Sequence, residues 1–259
     1  MTEPVLTAQD GAVLRITLNR PERRNAMSAA LVAALDKVLE TLPARRDIKV
    51  VVITGAGGHF CAGLDLVEVG EPMDPAAKLA AQQARNRRTA ERFQALAALP
   101  QVVVAAIRGS AFAGGLGFVC AADIAIADPT ARFAAPEVRR GLVPAQILPW
   151  LDRRMGRAAT TRMVLEGAAL DAAAAARIGL VHEVAEDLDA ALAACIANLT
   201  QGAPGALAET KGLIRALGPL MPPDYLAAGA DAFARCAAGP EAAEGIAAFK
   251  EKRPASWAA

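Results

Sequence analysis

A chain of 259 residues, 54% hydrophobic but only 4% aromatic, is long enough to bury a sizeable core, and its alanine-rich apolar content points to closely packed helices. A formal net charge of +1 removes any bulk electrostatic case for nucleic acid or an anionic membrane as a partner. Four scattered cysteines, Cys61, Cys120, Cys195 and Cys236, form no C-x-x-C pair, so zinc and dithiol chemistry lack support and a reducing cytoplasm is the simplest compartment.

Glu3 and Asp10 interrupt anything resembling a basic, apolar export signal. The longest uncharged stretch, 109–122, is too short and too glycine-rich to span a bilayer. Residues 13–18 alternate and predict a strand, closed by Asn19-Arg20-Pro21. Ser28 is a natural N-cap for a helix over 28–42, with Leu31, Leu35, Val38 and Leu42 on one face and Pro43 as its stop. The short apolar run 50–54 predicts a strand buried on both faces. The loop Gly55-Ala56-Gly57-Gly58 has no Gly-Lys-Ser/Thr behind it, so it is not a phosphate-binding P-loop.

After residues 59–66 comes a polar connection over 70–75 and a long helix over 76–99, with Arg85, Arg87, Arg88 and Arg92 in its middle. A strand over 102–107 passes through a small-residue turn, Gly109, Ser110 and Ala111, into a helix beginning near Gly114. A strand over 124–127, helices over 146–155, 158–166 and 171–178, and a strand over 180–184 follow. From Leu188 onward the pattern is helical only, broken at Pro204, 218–223 and Gly239-Pro240. The chain therefore reads as an α/β core followed by a helical C-terminal extension.

Two glycine turns carry the chemistry. Cys61-Ala62-Gly63-Leu64-Asp65 and Ala113-Gly114-Gly115 each follow a buried strand and precede a helix, so each can present a backbone N–H at a helix N-terminus. Two such donors converging on one oxygen make an oxyanion hole. The same glycines are equally explained as tight strand-to-helix turns. Glu137, directly after Pro136, is the one carboxylate placed to serve as acid or base, although a helix-terminal or surface role, paired with Arg139 or Arg140, also fits. Asp123 and Asp128 read as turn residues and Asp65 as a helix cap. His59 and His182 stand without metal-ligand spacing, and neither Gly-x-Ser-x-Gly nor Gly-x-Gly-x-x-Gly occurs at these turns.

At these residues the sequence resembles the crotonase superfamily, the enoyl-CoA hydratase/isomerase family. The ordered set runs from Leu18-Asn19-Arg20-Pro21 and Asn25-Ala26-Met27 through Phe60–Leu66, Gly109–Gly115, Ala122-Asp123-Ile124 and Phe133–Glu137. It continues in Glu166-Gly167, Ala175–Val181 and Glu244–Pro254, covering nearly the whole chain. The resemblance implies a spiral of ββα repeats over residues 1–195 that holds the acyl-CoA site, and a helical oligomerisation segment over 196–259 that builds homotrimers or homohexamers. It implies an acyl-CoA thioester substrate with no metal or redox cofactor, the CoA being part of the substrate.

Carried over residue by residue, the oxyanion donors are the amides of Leu64 and Gly114, and Glu137 is the general acid/base. Arg23 or Arg24 lies near the CoA phosphates, with Ala26 along the CoA. Ala62, Asp65 and Leu66 border the adenine and pantetheine, and Lys252 reaches a phosphate. One departure stands out: the well-known hydratases of the family carry a second glutamate three residues after the oxyanion glycine, where this chain has Gly117. The run from Glu137 to Ala145 resembles the methylglutaconyl-CoA hydratase-like branch, in which Arg139 or Arg140 would meet a distal carboxylate. The reading is an acyl-CoA-processing lyase, a 2-enoyl-CoA hydratase, with Δ3-Δ2 enoyl-CoA isomerase, a hydratase or decarboxylase of a branched or carboxylated acyl-CoA, and a non-catalytic acyl-CoA-binding protein as alternatives.

Overall fold

The computed structural model describes residues 3–69, 74–217, 239–251 and 253–257. Cys236, Lys252, most of the expected 70–75 connection and the expected break at 218–223 lie outside them. A six-stranded sheet runs in the order β1 (Val5–Asp10), β2 (Val13–Leu18), β3 (Val50–Gly55), β4 (Val102–Ile107), β6 (Ile124–Ala127), β9 (Glu183–Val184). Only the β1–β2 hairpin is antiparallel. The expected strands over 13–18, 50–54, 102–107 and 124–127 are all present, and the one expected over 180–184 is confined to its last two residues.

β3 and β4 are continuous apolar runs because both their faces are covered. Alternate residues go to opposite sides. Val51, Ile53, Val103, Ala105 and Ile107 join the large core with helices α1 (Ala29–Thr41) and α3 (Pro75–Ala98). Val50, Val52, Val104 and Ala106 meet Leu188 and Leu192 of α7 (Leu188–Thr200).

A second, three-stranded sheet of β5 (Ser110–Phe112), β7 (Arg132–Ala134) and β8 (Leu170–Asp171) stands beside the first. Its members have two or three residues each, too few to show an alternation, and β1 is exposed along all but Val5; neither had a legible pattern. β4, β5 and helix α4 (Gly114–Ala121) form one strand–strand–helix unit. β6, β7 and helix α5 (Leu148–Glu166) form the next. β3, a single bridge from Cys61 to Ala111 of β5, and the short helix α2 (Leu66–Val69) form an abbreviated one before them. This is the ββα spiral that the sequence led us to expect.

Ser28 caps α1, its Oγ accepting from the Leu31 amide at 3.2 Å. The two helices expected over 146–166 form one element broken at Gly156, whose φ of 78° and ψ of 167° are not helical. Helix α6 (Ala172–Arg177) is capped by Asp171, and α8 (Pro204–Ala216) and α9 (Pro240–Glu251) follow. The arginines of α3 are not all solvated: Arg92 is buried and makes a two-pronged pair with Asp36, at 2.6 and 2.7 Å. The C-terminal helices are tied to the sheet by Lys211, which is buried and bonded to Asp123 at 2.6 Å and to the Gln101 carbonyl at 2.8 Å.

The loop after β2 is held by Asn25, fully buried and at a left-handed φ of 56°. Its Oδ1 accepts from the Arg20 amide at 2.8 Å, and its Nδ2 donates to the carbonyls of Ala56 at 2.9 Å and His59 at 2.6 Å. One side chain thus fastens residues 20–27 to the turn after β3. Replacing Asn25 with Ala leaves one amide and two carbonyls without that partner, so urea unfolding should show a loss of about 2–4 kcal/mol.

Candidate active site

Segment 24–27 and turn 61–65 lie side by side. Ala62 N–H donates to Arg24 at 3.0 Å, Met27 N–H to Gly63 at 2.7 Å and Asp65 N–H to Met27 at 3.2 Å. In this parallel bridge Met27 uses both its backbone groups on the neighbours of Leu64. Leu64 therefore turns its own N–H away from the ladder, and that amide donates to no acceptor among the described residues.

The second turn is built the same way. Phe112 N–H donates to Cys61 and Ala113 N–H to Ala134, each at 2.9 Å, which carries the chain to the first residue of α4. Gly114 N–H is an orphan helix-terminal donor, also without a protein acceptor among the described residues. Ala113, at φ 49° and ψ −120°, holds a conformation that L residues rarely adopt, so the turn stores strain at the position that aims this amide. The two turns touch. A Cβ on Gly63 would lie 3.3 Å from the Gly114 nitrogen and 2.8 Å from the Phe112 oxygen, while one on Gly114 would lie 2.2 Å from the Met27 Cε. Both glycines allow close approach, and Gly63, at φ 88°, is needed for turning as well.

Glu137 opens a short 3-10 turn, three residues after Ala134, the residue to which Ala113 is bonded. Its Oε2 is buried and has no hydrogen-bond partner among the described residues. Burial raises its carboxyl above the ordinary 4.5, and its own backbone amide and the Arg140 charge oppose this only in part. A buried carboxylate oxygen without a partner is costly in a folded protein, and such groups are concentrated where a ligand completes the site.

Position 117 is occupied from outside. A Cβ on Gly117 would lie 2.1 Å from the Phe93 Cζ, because that ring, fully buried, fills the space beside α4. Phe93 is held edge-on by Phe118, with ring centroids 5.3 Å apart, and by Trp150, at 6.5 Å. Nothing in the spacing of α3 singles out Phe93 as the partner of Gly117.

The sequence profile of the enoyl-CoA hydratase/isomerase family matches residues 8–259. The chain belongs to this family. Over 256 residues it is 34% identical to the 2,3-dehydroadipyl-CoA hydratase of Escherichia coli K12, covering 98% of this chain and 97% of that one. An enoyl-CoA hydratase/isomerase from Marinobacter aquaeolei superposes with a TM-score of 0.92 at 36% identity, over the full length of both chains. The AtuE protein of Pseudomonas aeruginosa gives 0.92 at 38% identity, over 99% of this chain and 100% of its own. The chain is thus an enzyme of the hydratase/isomerase type with the crotonase fold.

Among the residues expected to border CoA, Arg23 and Arg24 are exposed at the mouth of the first turn, and Ala26 is buried behind them. The Ala62 amide is spent on Arg24. Asp65 is buried and caps α2 through the Val67 amide at 3.1 Å, while its other oxygen meets Arg20 at 3.0 Å. Burial raises its carboxyl, but Arg20 and the amides of Glu68 and Val67 outweigh this and hold it below the ordinary range. Leu66 begins α2, and Lys252 is outside the described residues. His59 serves the fold: its Nδ1 accepts from the Ser110 amide at 3.2 Å and fixes the start of β5. Sequence reading passed over Met27 and Phe93, whose roles depend on contacts across the fold.

Among the described residues no group of His, Cys, Asp and Glu is placed to hold a metal ion, and no helix is long and apolar enough to cross a membrane.

Gly117→Glu should lower thermal stability sharply, by about 3 kcal/mol or more, because a carboxylate is forced against a packed ring. Removing that ring at the same time, with Phe93→Ala, should recover part of the loss relative to the sum of the two single variants, and a double-mutant cycle of melting curves reads the difference.

Proposed function

We propose that this protein is a 2-enoyl-CoA hydratase in which the amides of Leu64 and Gly114 hold the thioester oxygen and Glu137 is the single acid/base group. The observation that carries the reading is a pair of unspent amides on touching turns, together with a buried carboxylate oxygen, unpartnered among the described residues, three residues after the Ala134 carbonyl that receives the Ala113 amide. The amides polarise the conjugated carbonyl and stabilise the enolate as it forms. The Glu137 carboxylate takes a proton from water as the water oxygen bonds to C3, and then delivers a proton to C2, so that H and OH are added across the double bond and Glu137 is regenerated. CoA enters as part of the substrate, its phosphates beside Arg23 and Arg24, with Lys252 reaching a phosphate and Ala26, Ala62, Asp65 and Leu66 along the nucleotide and pantetheine. No cofactor is needed for these steps.

One observation favours a second reading. With Phe93 filling the place beside Gly117, one carboxylate remains, which suffices to move a proton between carbons in Δ3-Δ2 isomerisation. A carboxylated acyl chain would turn to Arg140, whose bond to the Pro136 carbonyl is long at 3.4 Å, whereas Arg139 is held by the Glu166 carbonyl at 2.9 Å. The exposed apolar side chains Leu217 and Ile246 support burial against further subunits, in a homotrimer or homohexamer built through residues 196–259. Free, buried Cys61 and Cys120 support a reducing cytoplasm.

A panel of 2-enoyl- and 3-enoyl-CoAs, followed by the conjugated chromophore and by incorporation of labelled water, separates the readings. Hydration predicts uptake of label, isomerisation predicts appearance of the chromophore without it, and an acyl-CoA-binding protein predicts neither. Glu137→Gln should lower kcat by about 100-fold or more while leaving the fold intact. Unchanged turnover in this variant would overturn the assignment.

The kcat profile should show an acid limb above the ordinary carboxylate value of 4.5, because Glu137 must be ionised to take the proton. Arg140→Ala should move that limb to still higher pH. The same shift fixes the stability of the Gln variant. A carboxyl whose folded value is raised favours folding below its unfolded value and loses that contribution as pH rises through the folded one. Glu137→Gln should therefore melt above the parent protein at neutral pH, and the difference should vanish in acid below 4.5.

A further inference from the structure

A cavity of about 450 Å³ opens at the far end of α4, between α5, α8 and the start of β6. Cys120 and Ala121 line it, whereas the Gly114 amide is at the opposite end of this eight-residue helix, roughly 10 Å away. It is a second site rather than part of the catalytic cleft.

Its walls are mostly apolar, with Trp150 on one side and Leu207 and Ile214 on another. Its charged lining is one-sided: Arg153, Arg154, Lys211 and Arg215 face it, against the single carboxylate of Asp123. Two of the four cations have structural duties. Arg154 donates to the carbonyls of Val119, Cys120, Ala122 and Asp123 and closes the end of α4. Lys211 pairs with Asp123, which also accepts from the Val103 amide at 2.7 Å. The other two are a surplus. Both are exposed at its rim, and among the described residues Arg153 donates only to the Ile214 carbonyl, at 3.1 Å, and Arg215 makes no ion pair or hydrogen bond. Burial and then the nearby Arg154 charge lower the pKa of His182, whose Nδ1 lies 3.1 Å from the Ala125 amide, so it adds little to the positive lining.

Like charges around a partly apolar cavity repel one another, and an anion relieves that repulsion. A guanidinium matches the planar oxygens of a carboxylate or phosphate, and the volume suits a compact organic molecule. We propose that this cavity binds an amphipathic organic anion, a carboxylate or phosphate head at Arg153 and Arg215 with a short apolar body against Trp150, Leu207 and Ile214.

Calorimetric titration of the full chain with hexanoate, hexyl phosphate, inorganic phosphate and hexanol tests this without reference to turnover. Hexanoate or hexyl phosphate should bind once per chain, and which binds more tightly identifies the head. Inorganic phosphate and hexanol should each bind at least about tenfold more weakly, having only one of the two features. Arg153→Gln/Arg215→Gln should weaken the preferred ligand by about tenfold or more while Glu137→Gln binds it as the parent does. Ile214→Glu, at a largely exposed position, should have the same effect as the double variant and covers the case in which that variant does not fold. Absence of binding by both amphiphiles, equal binding by hexanol or inorganic phosphate, or parent-like binding by the variants that fold would overturn the proposal.

Discussion

Met27 commits both of its backbone groups to the residues on either side of Leu64, and the site depends on that commitment. A parallel bridge satisfies one residue of a pair and leaves the other facing outward. In most sheets the outward residue finds the next strand. Here the ladder stops, because segment 24–27 is a loop held by Asn25 on one side and the Gly114 turn stands on the other. The Leu64 amide is consequently left unbonded at a place where the fold brings a second unbonded amide beside it. Met27 also sets the spacing, since its Cε occupies the space that any side chain at Gly114 would need.

Much of this was legible in the chain. The long parallel strands announce themselves as apolar runs, and the two glycine turns and Glu137 stand in the order that the family's motifs require. The small sheet was not legible, because its strands are too short for a period to appear and their pairing is decided by where β4 and β6 end. Nor was the partner of Gly117, since a residue on α3 becomes its neighbour only through the packing of α3 on α4. The division of the arginines escaped in the same way. Arg92 belongs to the core because Asp36 meets it there, while Arg23 and Arg24 remain in solvent.

The two histidines show how a motif residue can be spent on architecture. In each, Nδ1 accepts the amide of a residue at the beginning of a strand, Ser110 for His59 and Ala125 for His182. An imidazole nitrogen used in this way holds a backbone group that the ladder leaves over. Neither has metal-ligand spacing in the sequence, and both serve to start a strand.

The packing of Phe93 into the notch left by Gly117 bears on how such a protein changes over generations. A chain of this kind cannot gain a glutamate at position 117 by one substitution without displacing the ring, because the ring already fills the space. The ring cannot shrink without cost either, because the notch would then be a void beside Phe118 and Trp150. Either first step lowers stability, and only the pair together opens a new arrangement. The shape of the core therefore holds position 117 to glycine for as long as Phe93 stands beside it, whatever substrates the loops come to select.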